Sequence, residues 1–227
     1  MPRNLTEALK RFNRKERHWL VRDTLGSASA RLDKGFTDRV QTAVRLRDPD
    51  FKIDPEAWWA IDFHIDWLIA ALHMLRHGPE SATSPQLNDP PLITGSQQDI
   101  DLVIASGSTL VLVEAKGIGS WSGEGLDTKV ARLSSLPPWI IEPSGVSGEI
   151  QIHFLLCSPG KPPILNLISW PSWMKADNQL LHINLNVKAE PEPFLRVTRC
   201  SSAGTPDQKW THWQIIEDNR SNSLAIK

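Results

Sequence analysis

The sequence contains no tyrosine and only two cysteines, Cys157 and Cys200, in 227 residues. Neither cysteine belongs to a CxxC pair, which excludes a zinc-finger framework and a disulfide-stapled secreted scaffold. Long apolar runs are also missing. The most apolar stretch, residues 57–75, is interrupted by Asp62, His64 and Asp66, which argues against a membrane span. The basic residues near the N-terminus are not followed by an apolar segment of the signal-peptide kind. These absences together predict a reduced, cytoplasmic protein. Charge of one sign is lacking as well: 25 Lys and Arg against 26 Asp and Glu leave a formal net charge of -1. No global basic field therefore exists, and a nucleic-acid partner would have to be gripped by a local patch. The rest of the composition, 40% hydrophobic and 22% charged, is that of an ordinary globular protein. The chain is long enough for one domain with a full core.

Residues 5–25 read as one basic helix, with Lys10, Arg11, Arg14, Lys15, Arg17 and Arg22 surrounding Leu5, Leu9, Phe12, Trp19 and Leu20, and with Gly26 as its end. A short helix is predicted over 37–46. Asp54-Pro55-Glu56 has the form of a helix start, with Asp54 as N-cap and proline at the first position, and predicts a helix running to His77-Gly78. A Pro-, Ser- and Asn-rich loop over 79–91 follows. Strands are then expected at 92–94, 99–105 and 109–116, a Gly- and Ser-rich loop over 117–125, a helix over 126–136 stopped by Pro137-Pro138, and a strand over 149–157. Further strand-like runs occupy 180–187, 194–200 and 210–216. The order of helix, three strands, helix and strand is an α/β core containing an antiparallel hairpin. The expected organisation is a basic helical segment over 1–50, the α/β core over 51–160 and a β-rich extension of the same domain over 161–227.

The chemistry concentrates between Asp99 and Lys116. Two β-rich runs flank Gly107-Ser108, which suits a two-residue hairpin loop with glycine at its first central position. Ser106 then pairs with Thr109, setting Asp101 opposite Glu114 and Asp99 opposite Lys116. Because side chains alternate, all four project from one face, while Ile100, Leu102, Ile104, Val111, Val113 and Ala115 form the other. Two carboxylates set against each other on a strand pair repel, and burial adds a desolvation cost. Magnesium would relieve both, since it is a hard cation that takes one or two carboxylates together with water and phosphate oxygens. A lysine on the same face could orient a water or stabilise developing negative charge.

Asp101, followed by Glu114-Ala115-Lys116 at the end of the next apolar strand, resembles the D…(D/E)xK signature of the PD-(D/E)xK, or restriction-endonuclease-like, nuclease superfamily. The resemblance covers roughly residues 55–157. It implies a restriction-endonuclease-like α/β core, metal binding by Asp101 and Glu114 with the Ala115 carbonyl as a further ligand, and a catalytic role for Lys116. The activity it implies is magnesium-dependent hydrolysis of phosphodiester bonds in nucleic acid, DNA in preference to RNA, with manganese as a substitute ion and a homodimer as one form of the enzyme. The alternative is a non-catalytic nucleic-acid-binding or scaffolding module of the same fold. Two departures stand out. Ile100 occupies the position of the motif's proline, and the preceding segment offers Asp62 and Asp66 where the superfamily often has a helix glutamate.

On a helix spanning 54–78, Asp62, Asp66 and His73 would share one narrow stripe of an otherwise apolar surface. A buried acidic stripe needs a partner. Asp62 and Asp66 are therefore candidate metal ligands, and an ion pair with the first helix is the competing role. His73 and His77 have helical ligand spacing but no third ligand. Trp58, Trp59 and Trp67 read as core, His64 as a hydrogen-bonded histidine, and Trp121 as a buried side chain or a base-stacking one. Arg11, Arg14 and Lys15 on the first helix, with Lys129 and Arg132 on the later one, are the candidate phosphate-binding residues.

Overall fold

The computed structural model describes residues 4–25, 31–78, 81, 83–89, 91–96, 98–117, 121, 124–134, 136, 150–162, 167, 170–177, 179–186, 195–206, 209 and 211–217. Gly26, Pro79, Pro137-Pro138, Glu149, Val187, Phe194 and Trp210, where element ends were expected, lie outside these residues, as do 118–120 and 122–123 of the expected Gly- and Ser-rich loop.

The centre is a six-stranded mixed sheet. Its strands are β1 (Trp58–His64), β2 (Asp99–Ser106), β3 (Thr109–Ala115), β4 (Gln151–Ser158), β5 (Lys175–Ala176) and β6 (Gln179–Asn184), in the spatial order β1-β2-β3-β4-β6-β5. The β1–β2 and β2–β3 pairs are antiparallel, whereas β4 runs parallel to β3 and β6 parallel to β4. A parallel step needs a crossover, and α5 (Glu124–Ser134) provides the one between β3 and β4. The hairpin register is the expected one: Ser106 pairs with Thr109 and Leu102 with Val113. Gly107 makes the turn at φ 61°, a conformation that glycine adopts without the steric cost of a β-carbon.

Both faces of the sheet are covered. On one side, Leu5, Ala8 and Leu9 of α1 (Leu5–Lys10), the apolar residues of α4 (Ile65–His77) and Leu126, Val130 and Leu133 of α5 join Val103, Ala105, Leu110 and Leu112 in the larger core. The i, i+4, i+7 spacing of the three α5 residues is what gives that helix a buried stripe, and each such side chain contributes roughly 1.5–3 kcal/mol when fully buried. On the other side, Val40, Ala43 and Val44 of α3 (Lys34–Val44) pack with Ile104, Val111, Val113, Leu155 and Ile183. Asp33 caps α3 by accepting from the Phe36 amide.

Three expectations change. The first concerns residues 54–78, which do not form one helix. Asp54 accepts from the Glu56 amide in a turn, Trp58–His64 is a strand paired along β2, and the helix starts only at Ile65. An apolar run suits a buried strand as well as a buried helix, and pairing with β2 decided the outcome. Second, the expected basic helix over 5–25 is two helices, α1 and α2 (Glu16–Thr24), separated where the Asn13 side chain accepts from the Arg14 amide in competition with helical bonding. Third, residues 92–94 form no strand: the Asn88 side chain accepts from the Leu92 and Ile93 amides and donates to the Ile93 carbonyl. The last two strand-like runs become β7 (Leu195–Cys200) and β8 (His212–Glu217), a hairpin separate from the main sheet. Among the described residues, no helix is long and apolar enough to cross a membrane.

Candidate functional site

Acids from three adjacent strands meet where β1, β2 and β3 lie side by side. The β1–β2 register pairs Ile61 with Leu102, Phe63 with Ile100 and His64 with Asp99, which sets Asp62 across from Asp101. The β2–β3 register, continued one step past Leu102–Val113, sets Asp101 across from Glu114. Beyond the row Asp62, Asp101, Glu114, His64 of β1 pairs with Asp99 of β2. Alternation puts Asp101 and Glu114 on the face that carries Val103, Ala105, Leu110 and Leu112, beneath α5.

The strand pair ends in a side-chain contact. One carboxylate oxygen of Asp101 accepts the Ala115 amide at 2.7 Å, which fixes the Asp101 side chain at the mouth of the hairpin. Glu114 is buried. One of its oxygens (Oε1) is paired with the ammonium of Lys129 on α5, and the other (Oε2) is buried without a hydrogen-bond partner. Burial, and then the nearby charge of Asp101, push the Glu114 carboxyl up to about 7; Lys129 opposes this, while a hydrogen bond with the Asp101 carboxyl adds to it. Near neutral pH, Glu114 therefore shares its proton between bound and released states, beside an acid it touches.

Asp62 is the strained member. Its φ is 50°, in the left-handed region that costs an L-residue roughly 1–2 kcal/mol and that aspartate tolerates better than most. It interrupts the backbone pairing between Ile61 and Phe63. Arg17 of α2 meets its carboxylate at 3.0 Å. Burial is the largest influence on Asp62 and raises its pKa; Arg17 and Lys15 work against that, while Asp99 and Asp101 reinforce it. Asp62 thus lies in the same electrostatic neighbourhood as Asp101, as the sequence suggested, but it does so from a strand rather than a helix, and its ion pair is with the basic N-terminal segment. Asp99 is bound by Lys15 at 2.6 Å.

Asp66 stands apart. It lies in the first turn of α4, where its carboxylate pairs with Arg132 and accepts the Thr94 and Gly95 amides at 3.2 and 2.9 Å. With both carboxylate oxygens engaged in this way, Asp66 fastens α5 and the 92–96 loop to α4. Arg132 also donates to Ser96 and Gln98. Lys129 and Arg132, expected to face phosphate, are half-buried and engaged with Glu114 and Asp66. They flank the buried stripe of α5 on the side that looks down on the sheet.

The N-terminal cations divide similarly. Arg11 is exposed at the end of α1. The Arg14 guanidinium sits 5.0 Å from the Trp19 ring centroid and 5.5 Å from that of Trp58, and Lys15 is taken by Asp99. His18 is the fully buried residue of α2, and its ring nitrogen (Nδ1) accepts from the Ile61 amide on the open edge of β1 at 3.4 Å. Burial, then the charges of Arg14 and Arg22, hold His18 down at about 4, so it is neutral. The helix thereby covers an edge strand and carries Lys15 and Arg17 onto the acids. No motif or spacing along the chain marks His18 for this role.

Lys116 is exposed one residue beyond the end of β3, and its amide donates to the Cys157 carbonyl at 2.8 Å. Among the described residues, no ion pair involves its ammonium. Trp121 is buried in the larger core and donates its indole N–H to the Ser158 hydroxyl at 3.1 Å, so it packs and does not stack on a base. Ser158 donates to the Gly160 carbonyl and meets His182 at 3.1 Å, a satisfied network without an activated nucleophile. His73 and His77 lie with their ring centroids 4.5 Å apart and their planes tilted by 40°.

Among the described residues, no group of three His, Cys, Asp or Glu side chains is placed to hold a metal ion. The donors that fit are two: Asp101, and Glu114 with its unpartnered buried oxygen. They suit a hard cation that keeps several of its waters. Such an ion would supply an activated water and positive charge to a phosphoryl oxygen. No protein-family model, no curated protein and no solved structure matches this chain.

Proposed function

We propose that this protein is a divalent-metal-dependent nuclease in which Asp101 and Glu114 hold magnesium, with manganese as substitute, and Lys116 serves the attacking water. The observation that carries the proposal is the Glu114 oxygen, buried, unpartnered and beside the Asp101 carboxyl at the mouth of the hairpin. An apolar sheet gains nothing from holding two acids in contact; a cation between them removes both the repulsion and the desolvation cost. The order of elements supports the same reading: an antiparallel hairpin, a crossover helix and a parallel strand, with the two acids on the helix-covered face. That order supports reading the fold as the restriction-endonuclease-like core that the D…(D/E)xK resemblance implies. Lys116, exposed and two residues beyond Glu114, is placed to meet a substrate arriving from solvent. DNA is the preferred substrate, and Arg11 is the exposed member of the cations proposed to meet phosphate.

A second reading has its own observation. The ammonium of Lys129 already occupies one oxygen of Glu114, as Lys15 and Arg17 occupy Asp99 and Asp62. A site so neutralised could belong to a non-catalytic nucleic-acid-binding module. Labelled single- and double-stranded DNA and RNA, incubated with magnesium or with chelator, separate the two. The nuclease reading expects metal-dependent cleavage that disappears in Asp101→Asn and Glu114→Ala proteins that remain folded. Binding without cleavage, unaffected by these substitutions, would establish the module instead.

A further inference from the structure

We infer that Lys129 is a resident counter-cation of the Asp101–Glu114 pair, and that a divalent ion must displace its ammonium to enter. This rests on the metal-binding reading above and adds to it a means of controlling the site's affinity. Lys129 reaches Glu114 from α5, across the gap between the helix layer and the sheet, and both side chains are largely withdrawn from water: 17% of the lysine and 12% of the glutamate remain exposed. At this burial an ion pair is poorly screened, so the contact matters more than a surface bridge does. It is also the wrong contact for a metal ligand. An ammonium and a divalent cation cannot approach the same carboxylate without repelling one another.

The helix around Lys129 is built to let it go. Leu126, Val130 and Leu133 anchor α5 in the core, and Arg132 fastens it separately to Asp66, Ser96 and Gln98. Releasing the Lys129 side chain therefore leaves the helix docked. The flexible four-carbon stem can carry the charge aside toward a substrate phosphate. Lys129 thus stabilises the metal-free protein and weakens metal affinity, since whatever binds one state preferentially shifts the balance between them.

The test is calorimetric titration of manganese into wild type, Lys129→Gln and Lys129→Arg, without nucleic acid, together with thermal melting of each in chelator and in manganese. Lys129→Gln should bind manganese on the order of five- to tenfold more tightly than wild type, the size expected for one displaced partly buried ion pair. Lys129→Arg, which keeps the charge, should stay close to wild type. In chelator, Lys129→Gln should melt below wild type, and the difference should shrink in manganese. Equal or weaker binding by Lys129→Gln overturns the inference while leaving the metal site standing. Absence of binding in all three proteins overturns the metal reading together with it.

Discussion

Glutamine in place of Glu114 tests whether the acid pair is held against its own electrostatics. In the folded protein the Glu114 carboxyl lies at about 7, against 4.5 for the unperturbed group. At about 1.4 kcal/mol per pKa unit, the gap between those values amounts to on the order of 3 kcal/mol. The sign follows from proton counting. Between pH 4.5 and about 7 the native state keeps a proton that the unfolded chain has released. The stabilisation is complete below the lower value and is lost as pH rises through the upper one. Glutamine stands in for the protonated acid at every pH, and the loss of the Lys129 ion pair is already contained in that figure. In chelator at pH 8, Glu114→Gln should therefore melt higher than wild type, by roughly 6–12 °C for a chain of this size. At pH 5 the advantage should shrink by more than half. Scanning calorimetry at the two pH values decides the matter. Equal melting at pH 8, or a less stable variant there, would refute the claim that Glu114 is strained by burial and by Asp101.

Arg132→Met leaves the Asp66 carboxylate buried with only two amide donors, and urea titration should show a loss of about 3–5 kcal/mol; a loss near zero would remove Arg132 as the fastening of α5. His153 is buried, both its ring nitrogens lack a hydrogen-bond partner, and burial with the charge of Arg47 holds it down at about 4. Its stabilising contribution is present above pH 6.5 and lost as pH falls toward 4, so His153→Leu should be at least as stable at neutral pH and lose less stability on acidification. If the acid limbs of the two melting profiles superimpose, His153 is not the titrating group. Lys116→Ala should keep the manganese affinity of wild type in calorimetry yet lose cleavage, because its ammonium touches neither acid; weakened metal binding would show Lys116 acting on the ligands instead.

Much of the hairpin was legible in the chain. Gly107-Ser108 sets the turn, the turn sets the register, and period-two alternation then places Asp101 and Glu114 on the face of Val103, Ala105, Leu110 and Leu112, opposite Ile104, Val111 and Val113, although Ile100, expected on that opposite face, joins the larger core. These are local rules, carried by the residues between Asp99 and Lys116. The helix over Glu124–Ser134 was legible for the same reason, in the spacing of Leu126, Val130 and Leu133. Tertiary structure decided what has no local signature. Residues 58–64 became a strand because β2 supplied a hydrogen-bonding partner, and this moved Asp62 from an imagined helix stripe into the acid row. Which cation meets which acid was equally undecided by sequence: Arg17 is distant from Asp62, Lys15 from Asp99 and Arg132 from Asp66 along the chain, and an ion pair depends on separation in space alone. Lys129 shows the difference most clearly. Its spacing marked it only as a charge beside an apolar stripe, and the packing of α5 over β3 made it the partner of Glu114.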